Sequence, residues 1–454
     1  MKDYDVIIIG SGIGGLTSAL LFAKEGKKIA VFEKEAYAGG LCSSFERQDF
    51  LFDIAVDSIG GLKQGQFLRE IFKQLGIEKK LKFQELNPMR RNIFPDCVID
   101  LIPGVDEYKK TLIKLFPKEK RGLDDLFGKM IQIYENSLDR PSFIYSYIGK
   151  NFQEFLEEYI DDLKLRGILS TYSTFLGLPT SEVSLIAYVN LFMHYLAGGA
   201  FRFKGGMRSL IDVLEKEIKK YSGDIFLNKK VDKIITEGRQ AKGISTDDKE
   251  IYFANNIVCD IDLKTVLNKM IPINAVDKDK FDFINKEEVS NSFVIAYLGL
   301  DIDYKKFNCP LSIGYFSSYD CEAMLNDDYT DIAFGLSFAN DNTAVIHIPL
   351  KSYDKIDKEK IIDIAIKKID SIIPDFSRHI ILKSISGPDD IYKYTGNTNG
   401  SAYGWIQKAG FYGKMSLCKN ILNNFDVVGH WAGLGGGVMP CMISGMDVFG
   451  KALK

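Results

Sequence analysis

Tyr4-Asp5-Val6-Ile7-Ile8-Ile9-Gly10-Ser11-Gly12-Ile13-Gly14-Gly15 is the stretch that decides the fold. Asp5 to Ile9 is a short, unbroken apolar run of the kind found in a buried parallel strand. It runs into Gly10-Ser11-Gly12-Ile13-Gly14-Gly15, a G-x-G-x-x-G turn. Leu16 to Lys24 then reads as a helix with Gly26 just past its end, and Lys28 to Phe32 reads as a second strand closed by Glu33. Strand, glycine turn, helix and strand with an acid at the second strand's tip make a dinucleotide-binding βαβ unit. Gly10 permits the tight turn, Gly12 leaves room for a pyrophosphate, and Gly15 lets the helix pack closely on the strand. Ile13 and Gly14 open the helix, where free N–H groups and the positive helix end attract phosphate. Glu33 is placed to accept hydrogen bonds from an adenosine ribose and would repel a 2′-phosphate, which disfavours NADP. The alternative, a glycine-rich turn with no ligand, leaves the coincidence of so many elements unexplained.

The chain has 454 residues, enough for two or three domains and a large core. At 46% apolar and 26% charged it has an ordinary globular composition, and a net charge of −3 implies no general attraction to nucleic acid. The 31 Phe and 22 Tyr suit a large apolar cavity, although core packing uses such residues too. Seven cysteines occur without a C-x-x-C pair, and the four histidines show no ligand spacing, so no metal site is expected. The scattered cysteines and a start that enters the first strand directly suggest a cytoplasmic protein without a signal peptide. Val183 to Phe201 carries no formal charge, but Asn190, His194 and a glycine pair argue for a buried helix, or one touching a membrane surface, over a span.

Further along, Phe83 to Leu101 reads as a strand pair turning at Pro95-Asp96, and residues 104–198 read as mostly helical. Asn151 to Arg166 has helical apolar spacing throughout, and Pro179 to Glu182 offers a helix start. Ser209 to Tyr221 reads as a helix. Short strands are expected at 225–227, 231–235, 242–244, 250–253 and 256–260. Apolar strands at 293–300, 311–316, 332–338 and 344–349, followed by a helix at 358–373, predict a mixed sheet with a covering helix. Lys393 to Trp405 is a polar, glycine-rich loop, and Phe425 to Val438 is a strand, a glycine turn and a helix start.

After Glu33 comes Lys34-Glu35-Ala36-Tyr37-Ala38-Gly39-Gly40-Leu41, a second glycine pair beside the first. Together with Phe201-Arg202-Phe203-Lys204-Gly205-Gly206-Met207, Val231 to Ile234, Thr395 to Gly404, and Gly429-His430-Trp431 to Gly437-Val438, this resembles the phytoene desaturase, carotenoid isomerase and retinol saturase type of flavoprotein within the amine-oxidase-like superfamily. The resemblance spans nearly the whole chain. Ala55 stands where the family usually has glycine, and His430 stands where many flavoproteins carry an acid. It implies an α/β fold: a Rossmann-type FAD-binding domain, with a substrate domain of mixed sheet and helices, each discontinuous in sequence. Residues 1–103, 201–287 and 405–454 would form the FAD domain, 104–200 a helical lid, and 288–404 the substrate-domain sheet.

By the same resemblance FAD is bound noncovalently, by Gly10, Gly12, Ile13, Gly14, Gly15, Glu33, Lys34, Gly39, Gly40, Leu41, Val231, Gly429, His430, Gly437 and Val438. The implied reaction is hydride transfer between a carbon of a hydrophobic isoprenoid or polyene and flavin N5, in the direction of desaturation or saturation. Tyr403 and His430 are the candidate catalytic residues, with Trp405 a further candidate for the flavin face. His194 reads better as a core residue than as a catalyst, and Cys441 as a free thiol with no flavin attached; Lys204 and Arg208 stay open between pairing with the flavin or pyrophosphate and serving as surface charges at a helix start. The expected partner is a hydrophobic small molecule, with no nucleic acid. Contact with the inner face of a membrane stays open, as does the oligomeric state. Competing functions are a cis-trans isomerase, an amine oxidase and a prenyl carrier of the GDP-dissociation-inhibitor type. The intact glycines and Glu33 argue against the carrier.

Overall fold

The computed structural model describes residues 2–137, 141–325, 331–350, 356–411 and 418–452. The opening βαβ unit is β1 (Lys2–Ile9), α1 (Ile13–Lys24) and β2 (Ile29–Phe32). β1 is the centre of a seven-stranded sheet. On one side it pairs in parallel with β2, which pairs with Asp224–Phe226; on the other it pairs in parallel with Ile251–Cys259. That last strand also pairs in parallel with Phe425–Val427 and antiparallel with Gln240–Thr246, beyond which lies Val231–Glu237. The two strands expected at 250–253 and 256–260 are one continuous strand, because its polar middle, Asn255-Asn256, still pairs with β1 at Val6.

The register places the ends of these strands together. Ile9 lies opposite Cys259, and Cys259 lies opposite Val427. The chain therefore leaves the carboxyl edge of the sheet side by side at Gly10, at Asp260 and at Val428-Gly429, the edge at which open α/β sheets bind ligands. Asp260 N–H donates to Ile9 O at 2.8 Å and Val428 N–H to Cys259 O at 2.8 Å, which locks the three chain ends in step.

A second seven-stranded sheet runs in the order Ile380–Ser386, Phe293–Leu300, Thr343–Pro349, Ala333–Ser337, Ser312–Phe316, Arg90–Ile93, Val98–Leu101. The Pro95-Asp96 hairpin forms as expected from its turn, with Ile93 opposite Val98. It does not extend the first sheet, however: it pairs in parallel with Ser312–Phe316 and so lies in the second. The helix Lys358–Ile372 covers one face through Ile361, Ile362, Ala365 and Ile369. Strand Ile380–Ser386 and hairpin Ser44–Arg47/Phe50–Asp53 had no clear alternation in the sequence and emerge only in the structure.

The helices of residues 105–198 share a core with Ile99, Leu101 and Phe316 of the second sheet. The period read over 151–166 is split into helices Phe152–Glu157 and Leu163–Leu169, because Asp162 caps the second by accepting from Leu165 N–H. Leu185–Gly198, capped by Ser184, is only 14 residues long and is buried on nearly every side by the other helices, which accounts for its hydropathy. Among the described residues no helix is long and apolar enough to cross a membrane.

Candidate functional site

A single cavity of about 880 Å³ runs from the carboxyl edge of the first sheet to the inner face of the second. Its first end is built by the glycine turn. Gly10 takes φ +91°, a left-handed value that a side chain would strain, and a Cβ there would come within 2.8 Å of Asp260 O. A Cβ on Gly12 would meet Asp260 Oδ2 at 2.5 Å, and one on Gly14 would meet Gly429 N at 2.6 Å. Gly15 does not line the cavity; a Cβ there would sit 2.6 Å from Gly10 O, and its N–H donates to Asp260 Oδ2 at 2.7 Å. Gly12, the N-cap of α1, has no side chain to cap it, and in the first turn the Asp260 carboxylate takes the Gly15 N–H.

Glu33 is nearly buried, and its carboxylate is fixed from both sides. Oε2 accepts from Ser11 N–H at 3.0 Å and from Ser11 Oγ at 2.6 Å, while Oε1 accepts from Glu35 N–H at 3.0 Å. Lys34, Gly39, Gly40 and Leu41 continue the same wall. Helix Pro388–Thr395 clamps this segment from outside: Lys34 Nζ donates to Lys393 O at 3.1 Å, and Tyr394 Oη donates to Gly40 O at 3.2 Å. Ile13, Val231, Gly429, His430, Gly437 and Val438 also face the cavity, so contributions from both chain ends and from the middle converge there.

Asp260 is a site residue that sequence reasoning missed. It ends an apolar strand, and only the register shows that its carboxylate reaches the glycine turn. Burial pushes its pKa up to about 7, against the lowering effect of the Gly15 N–H bond, with the charge of Glu33 adding to the rise.

The candidate catalytic residues both line the middle of the cavity. Tyr403 N–H donates to Ser290 Oγ at 2.9 Å, its ring meets Phe293 edge-on at 6.0 Å, and burial raises its phenol pKa. Burial lowers the His430 pKa to about 4, leaving a neutral imidazole at pH 7. Trp405, in contrast, turns away from the cavity into the core, donating from Nε1 to Trp431 O at 2.9 Å and meeting the Trp431 ring edge-on. His194 lines the cavity but is tightly packed: a Cβ on Gly61 would fall 2.1 Å from its Cε1, and burial lowers its pKa to about 4. Lys204 and Arg208 stand away from the cavity, and Arg208 Nε pairs with Asp212 at 2.7 Å. Cys441 reaches the wall as a buried thiol with its pKa raised by burial. Among the described residues no acid, His or Cys cluster could hold a metal.

At the far end Asp57 and Arg202 meet polar residues of the second sheet that the sequence did not single out. Arg202 Nε donates to Asp57 O at 2.7 Å, and the same guanidinium forms an ion pair with the Asp57 carboxylate. Ser312 Oγ donates to Asp57 Oδ2 at 2.9 Å. Burial pushes Asp57 upward, but Arg202, His347, Ser312 and Arg90 together hold its pKa below the usual carboxylate value. Arg90 and His347 face the cavity beside them.

The chemistry of this donor set fits a flavin dinucleotide. The Cβ-free turn leading into α1 matches a pyrophosphate, and the fixed Glu33 carboxylate matches a ribose diol. The Gly429–Val438 turn, beside the glycine turn, supplies a third wall. Residues 13–297, well over half of the chain, match the family described as flavin containing amine oxidoreductase. Among curated relatives, the all-trans-retinol 13,14-reductase of Danio rerio is 28% identical over 276 residues, covering 54% of this chain and 44% of its own. The chloroplastic prolycopene isomerase of Daucus carota is 23% identical over 98% of this chain and 79% of its own. The chain spans about half the length of the retinol reductase relatives it matches. An oxidoreductase from Methanosarcina mazei shares the fold, with a TM-score of 0.66 at 17% identity over 98% of this chain and 100% of that one. The protein belongs to the flavin-containing amine oxidoreductase family.

Proposed function

We propose that the protein is an FAD-dependent oxidoreductase that desaturates or saturates a C–C bond in a hydrophobic, polyene-type small molecule. The observation that carries this is the continuity of one cavity, from a dinucleotide cradle at Gly12 and Glu33 to a chamber walled by aromatic and aliphatic side chains such as Phe293, Ile295, Phe175 and Leu191. Noncovalent FAD would supply a two-electron hydride acceptor or donor. The chain's own residues would bind and orient. Ser11 and Glu35 hold the Glu33 carboxylate toward the ribose, and the glycine turn and α1 receive the pyrophosphate. Gly437 and Val438 close the cradle from the C-terminal side. Tyr403 and His430 are neutral at pH 7, so each presents hydrogen-bonding capacity without charge beside an apolar substrate. The apolar walls exclude water and fix the reacting carbon.

The relatives support this class, since one is named as a reductase and another as an isomerase of a polyene. An amine substrate suits the chamber poorly, because its free charge is the Arg90 cation while Asp57 is already paired with Arg202. The test is anaerobic. The purified protein should show an oxidised-flavin band that is released on denaturation. After photoreduction, mixing with all-trans-retinol or a neutral carotene should restore the band if the protein saturates double bonds. Oxidised enzyme bleached by a more saturated polyene indicates desaturation, and a cis-trans change without net bleaching indicates the redox-neutral isomerisation. A protein that neither carries nor binds FAD would overturn the proposal.

A further inference from the structure

The chamber's second-sheet end holds a guanidinium without a partner. Arg90 is 7% exposed, and among the described residues its side chain makes no hydrogen bond or ion pair; Nε is buried and orphaned. It lies over the Phe175 ring at 4.8 Å and near the Phe316 ring at 6.0 Å. Beside it Asn92, 1% exposed, leaves both Oδ1 and Nδ2 orphaned, and His347 leaves Nε2 orphaned. Buried polar atoms are almost always satisfied, and an unpaired buried charge is among the costliest features a fold can carry. Three adjacent residues that break this rule, with Arg90 and His347 on the cavity wall, mark a place where a ligand completes the bonding.

The sheet is shaped to keep the guanidinium there. Asn92, Gly314, Gly335, His347 and Ile295 form one row across five strands. The two glycines in the middle make a trough. A Cβ on Gly314 would fall 2.6 Å from Arg90 Nε and 2.6 Å from Asn92 Oδ1, and one on Gly335 would fall 3.3 Å from an Arg90 terminal nitrogen. Both glycines have ordinary strand conformations, so the absence of a side chain serves the space and not the backbone. The charged groups facing Arg90 are few. Asp57 acts on it through space but is engaged by Arg202 and Ser312, and Tyr172 and Tyr195 are neutral phenols.

We infer that the substrate is an amphipathic acid: an unsaturated hydrocarbon chain ending in a carboxylate, gripped by the Arg90 guanidinium with His347 beside it. A planar guanidinium binds a carboxylate through two parallel hydrogen bonds, a geometry neither an alcohol nor a hydrocarbon end can return. The apolar chain then extends between Phe175, Leu191 and Ile295 toward Tyr403. This inference rests on the substrate chamber proposed above, and it narrows the substrate from a neutral polyene to an acid.

The test uses FAD-loaded protein and three probes with one polyene tail: all-trans-retinoate, its methyl ester and all-trans-retinol. Each is titrated while the flavin absorbance spectrum is followed. Retinoate should bind at least about tenfold more tightly than the ester or the alcohol. Arg90→Gln should remove that preference while leaving ester binding within about threefold, and Arg90→Lys should restore only part of it. Equal affinity for all three probes in the wild-type protein would overturn the inference, even if Arg90→Gln failed to fold. A preference that survives in Arg90→Gln would overturn it as well. The two proposals fail separately. Acid-selective binding with no flavin redox change by any polyene removes the oxidoreductase assignment and keeps the anion subsite. Reoxidation by neutral carotene, equal in wild type and Arg90→Gln, does the reverse.

Discussion

Replacing Asp260 with asparagine should change how stability depends on pH, in a direction fixed by the geometry. Asp260 Oδ2 accepts from Gly15 N–H and lies where a Gly12 Cβ would be, so asparagine is isosteric and retains an oxygen acceptor. In the folded protein burial and Glu33 raise the carboxyl pKa to about 7, against about 3.9 in an unfolded chain. Between those values the folded state holds a proton that the unfolded state has released. The stabilisation is therefore fully present below pH ~3.9 and is lost as the pH rises through 7. At 1.36 kcal/mol per pH unit the full gap is worth ~4 kcal/mol. Asp260 sits partly solvated at the cavity wall, which reduces this to ~2 kcal/mol. Asparagine does not titrate. In urea unfolding of flavin-free protein, the stability of Asp260→Asn minus that of wild type should therefore rise by roughly 1–2 kcal/mol between pH 5 and pH 8. Taking the difference cancels the titrating groups that are not coupled to Asp260. A difference that stays flat with pH, or falls, would show that the carboxyl is not held neutral and that its place against the glycine turn is misread.

Four further substitutions probe the rest of the frame. Glu33→Arg reverses the charge that Ser11 and Glu35 orient, and should lower FAD retention through gel filtration by at least about tenfold; undiminished occupancy would refute the ribose assignment. Gly14→Ala should destabilise by ~1–3 kcal/mol, because its Cβ would strike Gly429 N, Gly429 Cα and Cys441 O, all main-chain atoms with no rotamer to give way. Gly128→Ala, on the helix Lys120–Asn136 with open space around it, should instead stabilise by ~0.5–1 kcal/mol, and equal effects at both glycines in thermal melts would rule out the steric account. Arg202→Met leaves the Asp57 carboxylate without its ion-pair partner and should cost roughly 3 kcal/mol, with Arg202→Met/Asp57→Asn recovering part of it; full additivity in the double variant would show that the two do not act as a pair.

What was legible in the chain depended on how local the cause is. The βαβ unit announces itself because strand, turn, helix and acid are consecutive, and each element follows from its own residues: an apolar run, glycines where no Cβ fits, an apolar helix. The Pro95-Asp96 turn was legible for the same reason. Which sheet its hairpin joins was not, since that depends on pairing with Ser312–Phe316, over 200 residues away. Trp405 shows the opposite error. An aromatic in a glycine-rich loop suggests a ligand face, yet its indole N–H finds Trp431 O, and satisfying that donor in the core turned the ring away from the cavity.

The candidate binding residues divide along the same line. Gly10, Gly12, Glu33 and Gly39 act through main-chain shape or position within one contiguous segment, and a one-dimensional pattern can carry that. Asp260, Arg90, Asn92 and His347 act only through register. Asp260 matters because Cys259 lies opposite Ile9, and Arg90 because Gly314 and Gly335 leave a trough under it. Nothing in the neighbourhood of Met89-Arg90-Arg91 distinguishes the buried arginine from the next one, which forms an exposed pair with Asp100. The alternation of a strand puts one guanidinium on the inner face and the other outside, and only the assembled sheet decides which is which. The candidate cofactor cradle is thus readable from sequence because its parts are consecutive, whereas the proposed substrate chemistry rests on side chains that meet only after folding.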